Sequence, residues 1–157
     1  MIFENNINYV LLCNNADKSF INNLGSIPCL SDLTYEKLFE KLEFFPNKQV
    51  IFNETLYGFS DSEKKEIFEL LKKQNISFIY VTSNVDEILY GDYVIVYDNN
   101  RKVLEGNVKE VLKDEKTLKR LGYGLPFVVD LSIQLNYYDI LNKVYYDLDE
   151  LVGVLWN

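Results

Sequence analysis

The sequence predicts an α/β domain built on a mainly parallel sheet with helical crossovers, and two observations carry that expectation. Short apolar runs, Ile7–Leu12, Val50–Phe52 and Phe78–Val81, alternate with stretches whose apolar residues recur at helical spacing. Each run also stops abruptly at polar residues: Cys13-Asn14-Asn15-Ala16-Asp17-Lys18-Ser19, then Asn53-Glu54, then Thr82-Ser83.

Taken in order, Ile7–Leu12 reads as a strand and Lys18–Leu24 as a helix, after which Gly25-Ser26-Ile27-Pro28 breaks the chain. Tyr35, Leu38, Phe39, Leu42 and Phe45 form one helical stripe, ended by Pro46-Asn47. After the strand at Val50–Phe52, Ser60 and Glu63 stand at capping-box spacing before a helix with a core face of Ile67, Phe68, Leu70 and Leu71. A strand at Ile76–Val81 and a short helix from Val85 follow. Tyr93–Tyr97 then turns at Asp98-Asn99-Asn100 and returns through Lys102–Leu104 as a hairpin. In the tail, Pro126 suits a first helical position before Phe127–Leu135. Asp147 with Glu150 caps a last helix expected to be buried through Leu148, Leu151, Val152 and Leu155.

Bulk composition narrows the functional classes. With 157 residues, 48% of them hydrophobic, the chain fits one domain with a real core. The 24 acidic residues outnumber 16 basic ones, and a net charge of −8 opposes attraction to nucleic acid or an anionic membrane surface. The start, Met1-Ile2-Phe3-Glu4, lacks the basic flank and apolar core of a secretory signal, so a cytoplasmic location is expected. Two cysteines are too few for a disulfide framework, and the lack of any histidine removes the commonest metal ligand and proton shuttle. No metal site is predicted.

The three polar loops, in this order, resemble the phosphate, metal-and-water and switch loops of ATP-binding-cassette (ABC) ATPases. Laid on G-x-x-x-x-G-K-[ST], Leu12–Ser19 keeps Lys18 and Ser19 but puts Leu12 and Asp17 on the glycines. Those glycines let backbone N–H groups close around phosphates, and an Asp17 carboxylate would add a like charge there. Taken alone, Lys18-Ser19 also reads as an exposed pair opening a helix. Val50–Ser60 lies on the Walker B strand and the D-loop after it, with Asn53 at the magnesium-side Asp, Glu54 at the water-polarising carboxylate and Ser60 at the D-loop Asp. A neutral amide attracts Mg²⁺ less than a carboxylate does. Glu54 has the alternative of an ordinary strand-end carboxylate, solvated or paired with a lysine.

Val81–Val96 resembles the family's stretch from switch histidine to last core strand, with Ser83 at the histidine, and the spacing continues to Leu104-Glu105-Gly106, like the "-EG" turn after the last hairpin. A serine hydroxyl lacks the reach and the near-neutral titration of an imidazole. Ser83 is instead expected to cap the helix from Val85, with Asp86 at the box position. Between phosphate loop and Walker B, the family's glutamine loop, helical subdomain and L-S-G-G-Q signature shrink to residues 24–47, where only Leu30-Ser31-Asp32-Leu33-Thr34 is signature-like. In the usual RecA-like order, Ile7–Leu12 sits between the switch strand and the last strand, so the shortening spares the sheet. The fold class is thus a reduced RecA-like P-loop (ABC ATPase) core, residues 1–121, followed by a small helical extension, 122–157.

That extension, through Leu121–Ser132 and Asp147–Trp156, resembles the C-terminal part of the ATPase subunits of energy-coupling factor (ECF) transporters. The resemblance implies pairing of ATPase subunits through Leu148, Leu151, Val152, Leu155 and Trp156. The alternative is that these apolar stripes close over the chain's own sheet. Two functions compete. The first is a non-catalytic or very weakly active relative, with no cofactor expected, pairing with itself or with an intact ABC ATPase and so associating indirectly with a membrane transporter. The second is an ATP-binding subunit with ATP and Mg²⁺ in a composite site, where Lys18, Ser19 and Glu54 face a partner's signature. A remnant without a selected role is a third reading.

Overall fold

The computed structural model describes residues 3–14, 24 and 26–156. Among these, six strands form one sheet: β1 (Tyr9–Cys13), β2 (Cys29–Leu30), β3 (Gln49–Asn53), β4 (Ser77–Thr82), β5 (Tyr93–Asp98) and β6 (Arg101–Asn107). Their order is β2-β3-β4-β1-β5-β6, parallel throughout except for the antiparallel β5–β6 hairpin. The amino-terminal strand thus lies between β4 and β5, as the RecA-like order requires. The register is Leu12 beside Thr82 on one side and Val96 on the other.

Every residue of β1 and of β4 is buried, the condition of a parallel strand covered on both faces. Val10, Leu12, Val50, Phe52, Phe78, Tyr80, Val94 and Val96 face one core. Tyr9, Leu11, Cys13, Ile51, Ile79, Val81 and Ile95 alternate into the other. The first core also receives the helices. They are α1 (Tyr35–Glu43), α2 (Asp61–Lys73), a 3₁₀ helix (Val85–Tyr90), α3 (Val108–Lys113), α4 (Glu115–Arg120), α5 (Phe127–Tyr137) and α6 (Leu148–Leu155).

Local chemistry starts and stops these elements. The predicted box at α2 is present: Ser60 Oγ accepts from Glu63 N–H, and the Glu63 carboxylate accepts from Ser60 N–H at 2.7 Å. Leu38 and Leu42 bury the α1 stripe, and Ile67, Leu70 and Leu71 that of α2.

Several expectations need correction. The first strand runs to Cys13, so Leu12, laid on a phosphate-loop glycine, is instead a fully buried strand residue. Glu105 and Gly106 do not turn after the hairpin but lie within β6, where Gly106 pairs with Val94. Pro126 precedes α5 with an extended ψ of 142° instead of opening it. The last helix buries Leu151 alone; Leu148, Val152 and Leu155 are exposed. β2, α3 and α4 were not foreseen. The predicted helix Lys18–Leu24 lies outside the described residues except for Leu24.

Candidate functional site

Parallel strands bring their carboxyl ends to one edge of a sheet, and loops leaving that edge form the crevice where α/β proteins bind ligands. In the order β3-β4-β1, Asn53 pairs with Val81 and Leu12 with Thr82. The structure therefore brings to one edge Asn53 at the end of β3 with Glu54 after it, Ser83 after β4 and Asn14 after β1. Lys18 and Ser19 lie outside the described residues. A cleft of about 700 Å³ opens elsewhere, near the opposite edge, lined by Asn8, Lys65, Phe68, Tyr90 and Asp92. Its walls hold none of the predicted site residues.

Asn53 is half-buried, and its Oδ1 is fully enclosed without a hydrogen-bond partner among the described residues. An unsatisfied buried acceptor costs about 1–3 kcal/mol, so this oxygen favours any donor or cation that reaches it. Glu54 follows in the left-handed region at φ 52°, with its side chain exposed. Its N–H donates to Val81 O at 3.0 Å and its carbonyl accepts from Tyr57 N–H at 3.0 Å, which fixes a turn across the ends of β3 and β4. The Thr55 hydroxyl donates to the Leu30 carbonyl and ties that turn to β2. As a magnesium site this donor set fits poorly. It offers one neutral amide oxygen and one exposed carboxylate, and among the described residues no three of Cys, Asp and Glu converge as ligands.

Ser83 is exposed and does not cap the helix after β4. That helix is 3₁₀ and starts at Val85, so the capping position falls on Asn84, whose Oδ1 accepts from Asp86 N–H at 3.0 Å. Just beneath lies a group that sequence reasoning missed. Glu87, only 6% exposed, accepts from Lys64 Nζ at 2.7 Å with one carboxylate oxygen; with the other it accepts from Tyr80 Oη at 2.7 Å and from Thr82 Oγ1. Burial first, and the Glu87 charge second, push the Tyr80 phenol well above its ordinary value of 10.0. Thr82 Oγ1 also accepts from Asn84 N–H at 3.1 Å, so the segment from Thr82 to Glu87 is held by its own side chains.

At the tail, Val152, Leu155 and Trp156 are exposed with Leu148, whereas Leu151 is fully buried in the chain's own core. Of the five residues predicted to face a partner, four have side chains available to one. Ser132, buried in α5, donates to Val128 O at 2.7 Å and accepts from Tyr145 N–H at 3.2 Å, which folds the tail upon itself.

No family model matches the chain. A relative from Clostridioides difficile (strain 630), "Energy-coupling factor transporter ATP-binding protein EcfA1", is 33% identical over 89 residues, covering 54% of this chain and 32% of the relative. The protein of the same name from Caldanaerobacter subterraneus subsp. tengcongensis is 37% identical over 76 residues, covering 46% of this chain and 27% of the relative. The match therefore spans about a third or less of those relatives. Among solved structures, cbiO1 from Clostridium perfringens, described as part of the ABC transporter complex cbiONQ, superposes with a TM-score of 0.50 at 15% identity. That likeness covers 78% of this chain and 85% of cbiO1, and it concerns the fold. Sheet order and the cbiO1 likeness give the chain the reduced RecA-like P-loop fold of ABC ATPases, and over about half its length the chain is similar in sequence to the ATP-binding subunits of ECF transporters.

Proposed function

We propose that the chain is a non-catalytic or very weakly active relative of the ECF ATP-binding subunits, acting as an interaction or regulatory module. The observation that carries this reading is Asn53: at the strand end where the resemblance expects a magnesium-side carboxylate, there is a neutral amide, which attracts Mg²⁺ less than a carboxylate does. Ser83 on the same edge adds to it, because a hydroxyl replaces the expected imidazole. Phosphoryl transfer relies on charge stabilisation at each of these points, and losing several together costs orders of magnitude in rate.

In this reading residues 1–121 form the reduced core and 122–157 the extension. Leu148, Val152, Leu155 and Trp156 pair the chain with a second copy or with an intact ABC ATPase subunit. The protein is cytoplasmic and reaches a membrane transporter only through that partner, in keeping with the absence, among the described residues, of any helix long and apolar enough to cross a membrane. No cofactor is required.

Titration of purified protein with Mg-ATP by calorimetry tests the proposal. We expect no saturable heat at micromolar nucleotide. Clear submillimolar affinity would favour the second reading, an ATP-binding subunit in a composite site built on Lys18, Ser19 and Glu54. The retained Glu54 at the strand end is what speaks for it.

A further inference from the structure

The connection between α4 and α5 touches both sides of the edge described above, through contacts far apart in sequence. At one end, Asn14, the residue leaving β1, donates from Nδ2 to the Leu121 carbonyl at 3.1 Å. At the other, the first N–H of α5, that of Phe127, donates to Asp86 Oδ1 at 2.6 Å. Asp86 lies in the first turn of the 3₁₀ helix that follows β4, and its own N–H is held by Asn84. One short segment therefore joins the exits of two adjacent parallel strands.

The sequence of the segment suits this placement. In Leu121-Gly122-Tyr123-Gly124-Leu125 the three large residues pack against the main core, while Gly122 and Gly124 between them take φ values of 85° and 71°. Those are conformations that only glycine adopts cheaply. Alternating anchors and left-handed glycines lay the segment flat along the edge. Leu121 and Gly122 also close α4, donating their N–H groups to Thr117 O and Lys119 O, each at 3.0 Å.

We infer that Leu121–Phe127 is a strap that couples the residue leaving β1 to the switch segment after β4, so that any displacement of α5 shifts both loop exits together. α5 carries exposed Phe127, Ile133 and Tyr137, so a load applied to this helix has a defined route to the sheet edge. The inference concerns the mechanics of the edge and holds whether or not nucleotide binds there.

Coupling free energies are reciprocal, and that property supplies the test. Amide hydrogen exchange is measured at single-residue resolution in the full chain without nucleotide. Asn14→Ala, which removes the hydrogen bond to the Leu121 carbonyl, is expected to speed exchange at the Phe127 and Glu87 amides about fivefold, the scale of one net hydrogen bond. Asp86→Ala is expected to do the same at Gly122 and Tyr123. Asp86→Asn keeps an Oδ1 acceptor and should restore most of the protection. Because either direction reports the same coupling, Asn14→Ala decides the matter if Asp86→Ala does not fold. Changes confined to each variant's own neighbours, with the far end of the strap unaltered, would overturn the inference.

Discussion

The central strands and the last two helices are both rich in apolar residues, yet they dispose of them differently. Along β1 and β4 every side chain is buried, because neighbours in the sheet cover the backbone and two cores cover the faces. In α5 and α6 only Val128, Val129, Ser132 and Leu151 are buried, while Tyr137 is 82% and Trp156 80% exposed. The first region is covered throughout; the second holds to the core through these residues with partly buried Leu131 and Leu135, and leaves several large apolar side chains exposed. Exposed apolar side chains on these two helices are what the proposed pairing would use.

The contrast breaks first at its extremes. Phe52→Ala should cost about 3–5 kcal/mol in urea denaturation, the usual price of emptying an aromatic core position, whereas Trp156→Ala should fall within about 0.5 kcal/mol. Comparable losses from the two would erase the distinction. Polar anchoring inside the first region comes next. Glu87→Ala strands the Lys64 ammonium in a pocket where its side chain is only 12% accessible, and a loss of about 3 kcal/mol is expected. Glu87→Met with Lys64→Met should recover only part of it, since both charges go but the Tyr80 and Thr82 hydroxyls lose their acceptor.

The surface side of the comparison is sharpened by Val152→Glu combined with Leu155→Glu. Stability of the isolated chain should change by less than about 1 kcal/mol, while any tail-mediated assembly seen by size-exclusion with light scattering should dissociate. An unchanged mass above that of a monomer would place the contact elsewhere. The smallest effects belong to the start of α2. Ser60→Ala should cost about 1 kcal/mol by removing the cap. The hydrogen bond from Ser60 N–H, then that from its hydroxyl, hold the Glu63 carboxyl below its ordinary 4.5. A depressed folded-state value means a contribution present above the unfolded range and lost as pH falls through the folded value. Glu63→Gln should therefore flatten the acid limb of the denaturation midpoint, lowering the midpoint near neutrality and leaving it unchanged at low pH, where the wild-type carboxyl is already protonated.

Where local chemistry specifies an element, the sequence was sufficient to read it. The box at Ser60 and Glu63, the stripe of α1 and the turn at Asp98-Asn99-Asn100 all stand where their residue types place them. Elements too short for periodicity escaped: β2 is two residues long, and α3 and α4 are six each, opened by Asn107 and Asp114 that read equally well as loop. Ser83 lost the capping position to Asn84 because both suit it and only the helix start decides. Glu87 was illegible for a different reason: a carboxylate between Val85 and Ile88 looks solvated until Lys64, Tyr80 and Thr82 converge on it from other elements. At the candidate site, the grouping of Asn53, Glu54 and Ser83 followed from strand order, whereas the left-handed backbone of Glu54 had no sequence cue.

The position of β1 also sets a schedule for biosynthesis. Its ladder partners are Ile79 in β4 and Tyr93 in β5, so the strand made first leaves the ribosome long before either neighbour exists. Until then both of its edges are open. Closing such distant pairings is slow, and newly made chains in that interval are prone to clump or to need a chaperone's protection.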